Sequence, residues 1–422
     1  MKKFLVVSGS IFFLSCTVVL AQRGRVKETS SPVSTISQHD IDISPFSKGK
    51  WEFAVARQDL GYSHQNIKAN DVSQGSQSQF KFDASTNYFV ANNFGIGLEL
   101  NANLGTMKNN YTSTSDKWMT YGNFTYGKTV GDNFNFYARA GIGVGGLTSK
   151  YTPVNGNTTT DKTNLFGYKF DVGFPIRLGN EPVYLTPEID YHYLHEKFDG
   201  GTETDNHFDF CLDFEAYLFC HEMRCDSHSG YSFSRGLYDQ GHSYFGVDTR
   251  GRLDFGTLKT VYDNNFPSEK QDYSKEDFSA NYMYYIVKDV ALGVDLDYGN
   301  SVYKNSGNTT YKQSNMSFTF EPMLEINLPV QEHGWNNLFL MGGYGFGSTR
   351  SEFINGNTTS TTKYSTTDYC VGLGYNFLFT KSLSFTPAFQ YAGSTSKNKD
   401  TDLKYKYNGP QIEMGVKKFF GR

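Results

Sequence analysis

From Trp51 to Phe420 the chain places apolar residues at alternate positions again and again, yet it never builds a long unbroken apolar run. Phe166, Tyr168, Phe170, Val172, Phe174 and Ile176 form one such stripe, and Phe208, Phe210, Leu212, Phe214, Ala216 and Leu218 form another. A period of two puts all these side chains on one face of an extended strand. Many strands, each with a single greasy face, have two solutions: a second sheet packed on that face, or lipid around a closed barrel. The chain is therefore all-β. With 36 Phe, 30 Tyr, 42 Gly and only 11 Pro, its composition suits a transmembrane barrel, a class that hydropathy averaging does not detect because each strand alternates.

The alternation predicts eight strands in each half. In the first they begin near Trp51, Gln77, Phe94, Trp118, Phe134, Phe166, Val183 and Phe208; in the second they span about 243–258, 275–287, 290–303, 312–328, 337–353, 364–379, 383–396 and 404–420. Links such as Asn92-Asn93, Lys288-Asp289 and Thr380-Lys381-Ser382 read as tight turns. The alternate links, 108–115, 304–311, 354–363 and 397–403, are rich in Asn, Thr, Ser, Gly and Lys and read as loops. Short turns on the periplasmic side and long loops outside are the habit of outer-membrane barrels.

Residues 155–160 read NGNTTT and residues 355–360 read NGNTTS, and Tyr184-Leu185-Thr186-Pro187 answers Ser384-Phe385-Thr386-Pro387. The chain thus reads as one domain-sized unit written twice, far longer than a solenoid repeat. We expect an antiparallel up-and-down β-barrel fold with two tandem eight-stranded barrels at 49–219 and 243–422, joined by a periplasmic linker at 220–242. That linker is long for a hairpin within one barrel. The alternatives are one sixteen-stranded barrel and a soluble sandwich.

Lys2-Lys3, an apolar run from Phe4 to Leu20 and Val19-Leu20-Ala21 have the order of a secretory signal peptide, with cleavage expected after Ala21. Cys16 would be the acylated residue if the segment were a lipoprotein signal. Residues 22–48, polar and without period, are expected to form a flexible leader. Export permits disulfides. Cys220 and Cys225 lie close enough in sequence for a local disulfide, with free thiols as the equal alternative and a zinc site with His221 and His228 a lesser one; Cys211 and Cys370 fall inside strands. The net charge of −4 gives no reason to expect a nucleic-acid partner.

Opposite the aromatic stripes stand Lys81, Glu99, Arg139, Lys169, Asp171, Glu188 and Asp190. Inside a small barrel these must pair, because isolated buried ions are too costly; Arg139 and Lys169 facing Glu188, Asp171 or Glu99 are the candidate ionic core. No catalytic, cofactor or metal site is expected. His192 and His195 beside Asp190 and Glu196 look like an ordinary polar strand end, and the glycines from Gly141 to Gly146 lack the strand-turn-helix setting of a phosphate loop.

The final strand carries Ile412, Met414 and Val416 in alternation and ends on Phe420, two residues before the terminus. It resembles the carboxy-terminal assembly signal of bacterial outer-membrane barrels, departing from it by the trailing Gly421-Arg422. With the signal peptide and the Thr-Pro of each seventh strand, residues 49–420 resemble a tandem outer-membrane β-barrel protein of the small kind common in Bacteroidota. The resemblance implies the outer membrane of a Gram-negative bacterium, with outer-membrane lipid and the barrel-assembly machinery as partners, and no particular activity. A structural or adhesion-like role through the loops is expected of two small barrels, and a diffusion porin of one large barrel.

Overall fold

The structure, a computed structural model, describes residues 44–54, 60–130, 134–177, 183–219, 238–246, 250–262, 268–305, 311–329, 336–378 and 383–420. The signal peptide, most of the leader, Cys220 and Cys225 lie outside these residues. In the first half the strands are β1 (Lys50–Ala54), β2 (Leu60–Ala69), β3 (Val72–Ala91), β4 (Phe94–Lys108), β5 (Tyr111–Val130), β6 (Phe134–Pro153), β7 (Thr159–Gly173), the two-residue β8 (Ile176–Arg177), β9 (Val183–Phe198) and β10 (Gly201–Phe219). In the second they are β11 (Ser243–Phe245), β12 (Arg250–Tyr262), β13 (Glu269–Val287), β14 (Val290–Asn305), β15 (Tyr311–Pro329), β16 (Asn336–Asn355), β17 (Thr358–Leu378), β18 (Leu383–Asn398) and β19 (Lys404–Phe420).

All neighbours pair antiparallel, and the long strands close into one ring of sixteen. Two seams make it a single ring. At one, β10 pairs with β12 from Gly201 opposite Tyr262 to Leu212 opposite Gly251. At the other, β19 pairs with β2, with Tyr405 opposite Ala69 and Met414 opposite Leu60. Lys406 Nζ, 2.5 Å from Asp71 Oδ1, clasps the second seam at its tip. The expected pair of separate eight-stranded barrels is thereby overturned. Alternation could not distinguish the two closures, since a strand shows the same inner and outer faces whichever edge it joins.

The short-turn end is built differently. There β1 lies between β3 and β10, with Phe53 opposite both Thr86 and Ala216. In the same way β11 lies between β13 and β19, with Tyr244 opposite Met283 and Phe419. The one wide ring thus narrows at this end into two side-by-side collars, each bounded by eight strands.

Two of the polar links read as loops, 108–115 and 354–363, are mostly extensions of the strands, whereas 154–158 and 399–403 are turns and coil as the sequence suggested. Residues 354–363 carry β16 to Asn355 and start β17 at Thr358, leaving only Gly356-Asn357 as a turn. A bilayer needs about ten residues of tilted strand, whereas β3, β5, β6 and β16 have 20 each. The surplus is Thr-, Ser- and Asn-rich because both faces meet water, and β-branched Thr sustains pairing there.

The outward stripe is strongly exposed, with Phe124 at 70%, Ile142 at 66% and Val144 at 58%. On a closed barrel that belt fits lipid, and pairs of aromatic rings flank it at both ends. Phe94–Tyr126 (5.2 Å) and Trp51–Tyr88 (4.9 Å) lie at the short-turn end. Tyr111–Tyr151 (5.1 Å) and Tyr311–Phe353 (5.0 Å) lie at the other.

The β2–β19 seam can be tested directly. Asn66 and Asn408 are register partners across it, and Cβ atoms of such partners stand about 4.5–5.5 Å apart, close to what a disulfide needs. Asn66→Cys with Asn408→Cys is expected to cross-link the first and last long strands under mild oxidation, seen as a shift on a denaturing gel that reductant reverses. Failure to cross-link would argue against the seam.

Candidate functional site: two filled collars beneath a polar lumen

Each collar is plugged from below by an aromatic residue that precedes its short strand. Phe46, fully buried, lies 5.7 Å from the Phe89 ring and 6.5 Å from the Tyr137 ring. Tyr238 lies 5.8 Å from Tyr285 and 5.7 Å from Phe419. The backbone repeats too. Asn93 N–H donates to Phe46 O and Gly49 N–H to Phe89 O; correspondingly, Asp289 N–H donates to Tyr238 O and Gly241 N–H to Tyr285 O. Gly49 and Gly241 have φ of +89° and +92°, and Asn93 and Asp289 have φ of +71° and +63°, left-handed values that Gly, Asn and Asp tolerate best. The leader's last residues are therefore part of the fold. Gly127 leaves the space for Phe46, whose ring would be only 2.4 Å from a Cβ at that position.

The first collar is ionic. Arg139 on β6 reaches across to Glu52 on β1, donates through Nε to Thr125 Oγ1 at 3.3 Å and holds Asp171 at 3.9 Å. Lys169 on β7 contacts Glu99 on β4 and lies 3.1 Å from Asp171. The Tyr137 hydroxyl donates to Glu188. Strands β1 and β6 stand opposite one another in an eight-strand ring, so side chains can meet across it only because such a ring is just wide enough for side chains to fill. Arg139, Asp171, Glu52 and Glu188 are each at most 1% exposed.

Of the residues singled out in the sequence, Arg139, Lys169, Asp171 and Glu99 come together; Glu188 meets Tyr137 instead. Asp190 sits on the adjoining wall with its Oδ2 4.0 Å from His192 Nε2. Lys81 shares the inward face of β3 with buried Asp83 and Ser85. Glu52, on the five-residue β1, completes the cluster and is not among the residues singled out in the sequence. In the terminal strand Phe420 packs its ring 5.7 Å from Phe245 and Ile412 faces outward; the side chains of Met414 and Val416 lie outside the described set.

The second collar uses hydroxyls more than ions. Glu325 accepts from Tyr244, from Tyr285 at 3.4 Å and from Lys417 Nζ at 2.8 Å. Lys417 also lies 3.6 Å from the Phe339 ring centre. A cavity of about 40 Å³ remains beside Tyr244, Glu325 and Lys417, room for a water or two.

From the first collar one inward rung runs in register across six strands: Arg139, Asp171, Asp190, Asp209, Asp254 and Lys275. Arg252 binds Asp209, with Nη2–Oδ2 at 2.6 Å and Nε–Oδ1 at 3.2 Å. The next inward rung, toward the long-hairpin end, aligns Lys169 of the first collar with His192 and His207. The rung's partners in the second half are neutral, Gln390 opposite Gln411 and Ala392 opposite Gly409.

A closed barrel with a lipid-facing apolar belt and a polar interior is an integral protein of the Gram-negative outer membrane. No protein-family model matches the chain, and no curated protein matches it either. Among solved structures it is similar to OpdQ of Pseudomonas aeruginosa, at 11% identity over 87% of this chain and 98% of that one, with a TM-score of 0.28. It is also similar to the outer membrane protein OpdK of Pseudomonas aeruginosa (11% identity, 88% and 98% covered, TM-score 0.25). A third likeness is to the translocator domain of the autotransporter NalP from Neisseria meningitidis (11% identity, 89% of each chain covered, TM-score 0.23).

Proposed function

We propose that the chain is a porin-like outer-membrane protein, a water-filled vestibule walled by sixteen strands and restricted at its short-turn end by two filled collars. The observation that carries this reading is the pairing of β2 with β19 and of β12 with β10, because a ring of sixteen strands leaves an aqueous channel where one of eight does not. Carboxylates dominate the buried charges of the described residues, with Glu52, Asp83, Glu99, Asp171, Glu188, Asp190, Asp209, Asp254 and Glu325 outnumbering Lys50, Arg139, Lys169, Lys417 and Lys418, so cations are the preferred solutes. The matching plugs under Phe46 and Tyr238 support an origin by duplication. Outer-membrane lipid and the assembly machinery are the partners this reading supplies, and it gives the protein no catalytic role.

Planar-bilayer recording of the full chain tests it. Small, cation-selective current steps are expected, well below those of an unobstructed sixteen-stranded pore. Complete electrical silence, with the protein shown to be folded by its heat-dependent gel mobility, would remove the channel and leave a surface-binding role for the protruding hairpins.

A further inference from the structure

We propose that His192, His207 and Asp209 hold a divalent transition-metal ion on the lumen wall, with Asp190 as a further oxygen donor. The ring nitrogens His192 Nε2 and His207 Nε2 lie 3.9 and 3.7 Å from the same Asp209 Oδ2. The ligand atoms of these three residues all fall within 4.8 Å of one another. Metal–nitrogen and metal–oxygen bonds of about 2.0–2.2 Å put an ion between donors at this spacing after shifts of up to about an ångström. The two imidazoles, register partners on β9 and β10, stack at 4.9 Å and 11°, so a rotation of the rings about their χ2 bonds turns both Nε2 lone pairs onto one ion.

The surroundings are those of a ligand set. His207 Nδ1 lies 3.3 Å from Asp205 Oδ1, and Asp205 in turn accepts from the Tyr273 hydroxyl at 2.8 Å. That carboxylate stands beside Nδ1 without hydrogen-bond geometry, and its charge favours the proton there and leaves the Nε2 lone pair for a metal. Arg252 leaves Asp209 able to ligate, because each carboxylate oxygen has two acceptor sites. An independent observation points the same way. Asp254, 4% exposed and directly opposite Asp209, has an Oδ1 that makes no hydrogen bond. Four aspartates stand side by side on one rung; Lys169 holds Asp171, and Arg252 holds Asp209 and lies 3.8 Å from Asp254, and a further bound cation lowers the repulsion that remains. Two imidazoles with carboxylate suit zinc, copper, nickel or cobalt rather than calcium or magnesium. His192 and His207 side chains are 21% and 16% exposed, open to the lumen. The second half has Gln, Ala and Gly at the matching positions, so the described residues offer this site once per chain.

The test is calorimetric titration of the folded full chain in detergent with zinc, supported by the visible spectrum of its cobalt(II) form. We expect one zinc per chain and cobalt bands of a nitrogen–oxygen site. His192→Ala with His207→Ala should abolish both, while His64→Ala, whose Nδ1 contacts Ser78 Oγ on another strand, should change neither. If the double variant does not fold, Asp205→Asn carries the test and should weaken zinc by about 10–100-fold. Absence of stoichiometric zinc uptake by the unaltered protein, or full uptake by the double variant, would overturn the site. Either result leaves the conductance reading untouched.

Discussion

Replacing Arg139 with methionine is expected to destabilise the barrel by about 3–5 kcal/mol, the usual cost of removing one member of a buried ionic pair. Arg139 is fully buried and serves Glu52 and Asp171 at once. Without it, two buried carboxylates lose their guanidinium, and Lys169, already engaged with Glu99 and Asp171, must answer for all of them. The loss reflects stranded charge rather than lost packing, since methionine nearly fills the volume. Adding Glu52→Gln to Arg139→Met should therefore recover part of the stability, with a coupling of about 1–3 kcal/mol. Denaturant unfolding in lipid vesicles, followed by tryptophan fluorescence and gel mobility, measures both. An Arg139→Met protein within about 0.5 kcal/mol of the parent, the range of an inconsequential surface change, would mean that the ionic cluster does not hold the first collar together.

The sequence made the strands legible and left the closure dark, for a physical reason. The stripe predicted at 337–353 became β16 at Asn336–Asn355, because each outward side chain announces its own position through hydropathy. Whether β2 joins β10 or β19 depends on backbone pairing between segments hundreds of residues apart, and the alternation is satisfied equally by either. The second NGNTT segment, at 355–359, is mostly strand although it was expected to be a loop, because a strand wet on both faces has no stripe to reveal it, while the first, at 155–159, is mostly turn and coil as expected. Arg139, Lys169, Asp171 and Glu99 could be singled out as inward charges in a small ring. Glu52 stands on the five-residue β1, whose insertion between β3 and β10 the alternation does not show. His192 and His207 looked unremarkable along the chain, and only the β9–β10 register makes them neighbours.

Tyr238→Ala combined with Tyr244→Ala should raise single-channel conductance severalfold, whereas Phe46→Ala alone should leave it nearly unchanged. Tyr238 and Tyr244 are 7% and 2% exposed and together occupy the second collar, where a cavity already lies beside Tyr244. Removing both rings joins that cavity to the space beneath the plug and leaves Glu325 paired with Lys417, so water and small cations gain a path. Deleting Phe46 takes away the first plug, but Arg139 still reaches Glu52 across the collar and Lys169 still reaches Glu99; the ionic cluster continues to fill the ring. Each truncation of a buried aromatic costs about 3–5 kcal/mol, so the fold of every variant must be checked by heat-dependent mobility before recording. Equal conductance in all three proteins, each shown folded, would place the narrowest point of the path outside the collars.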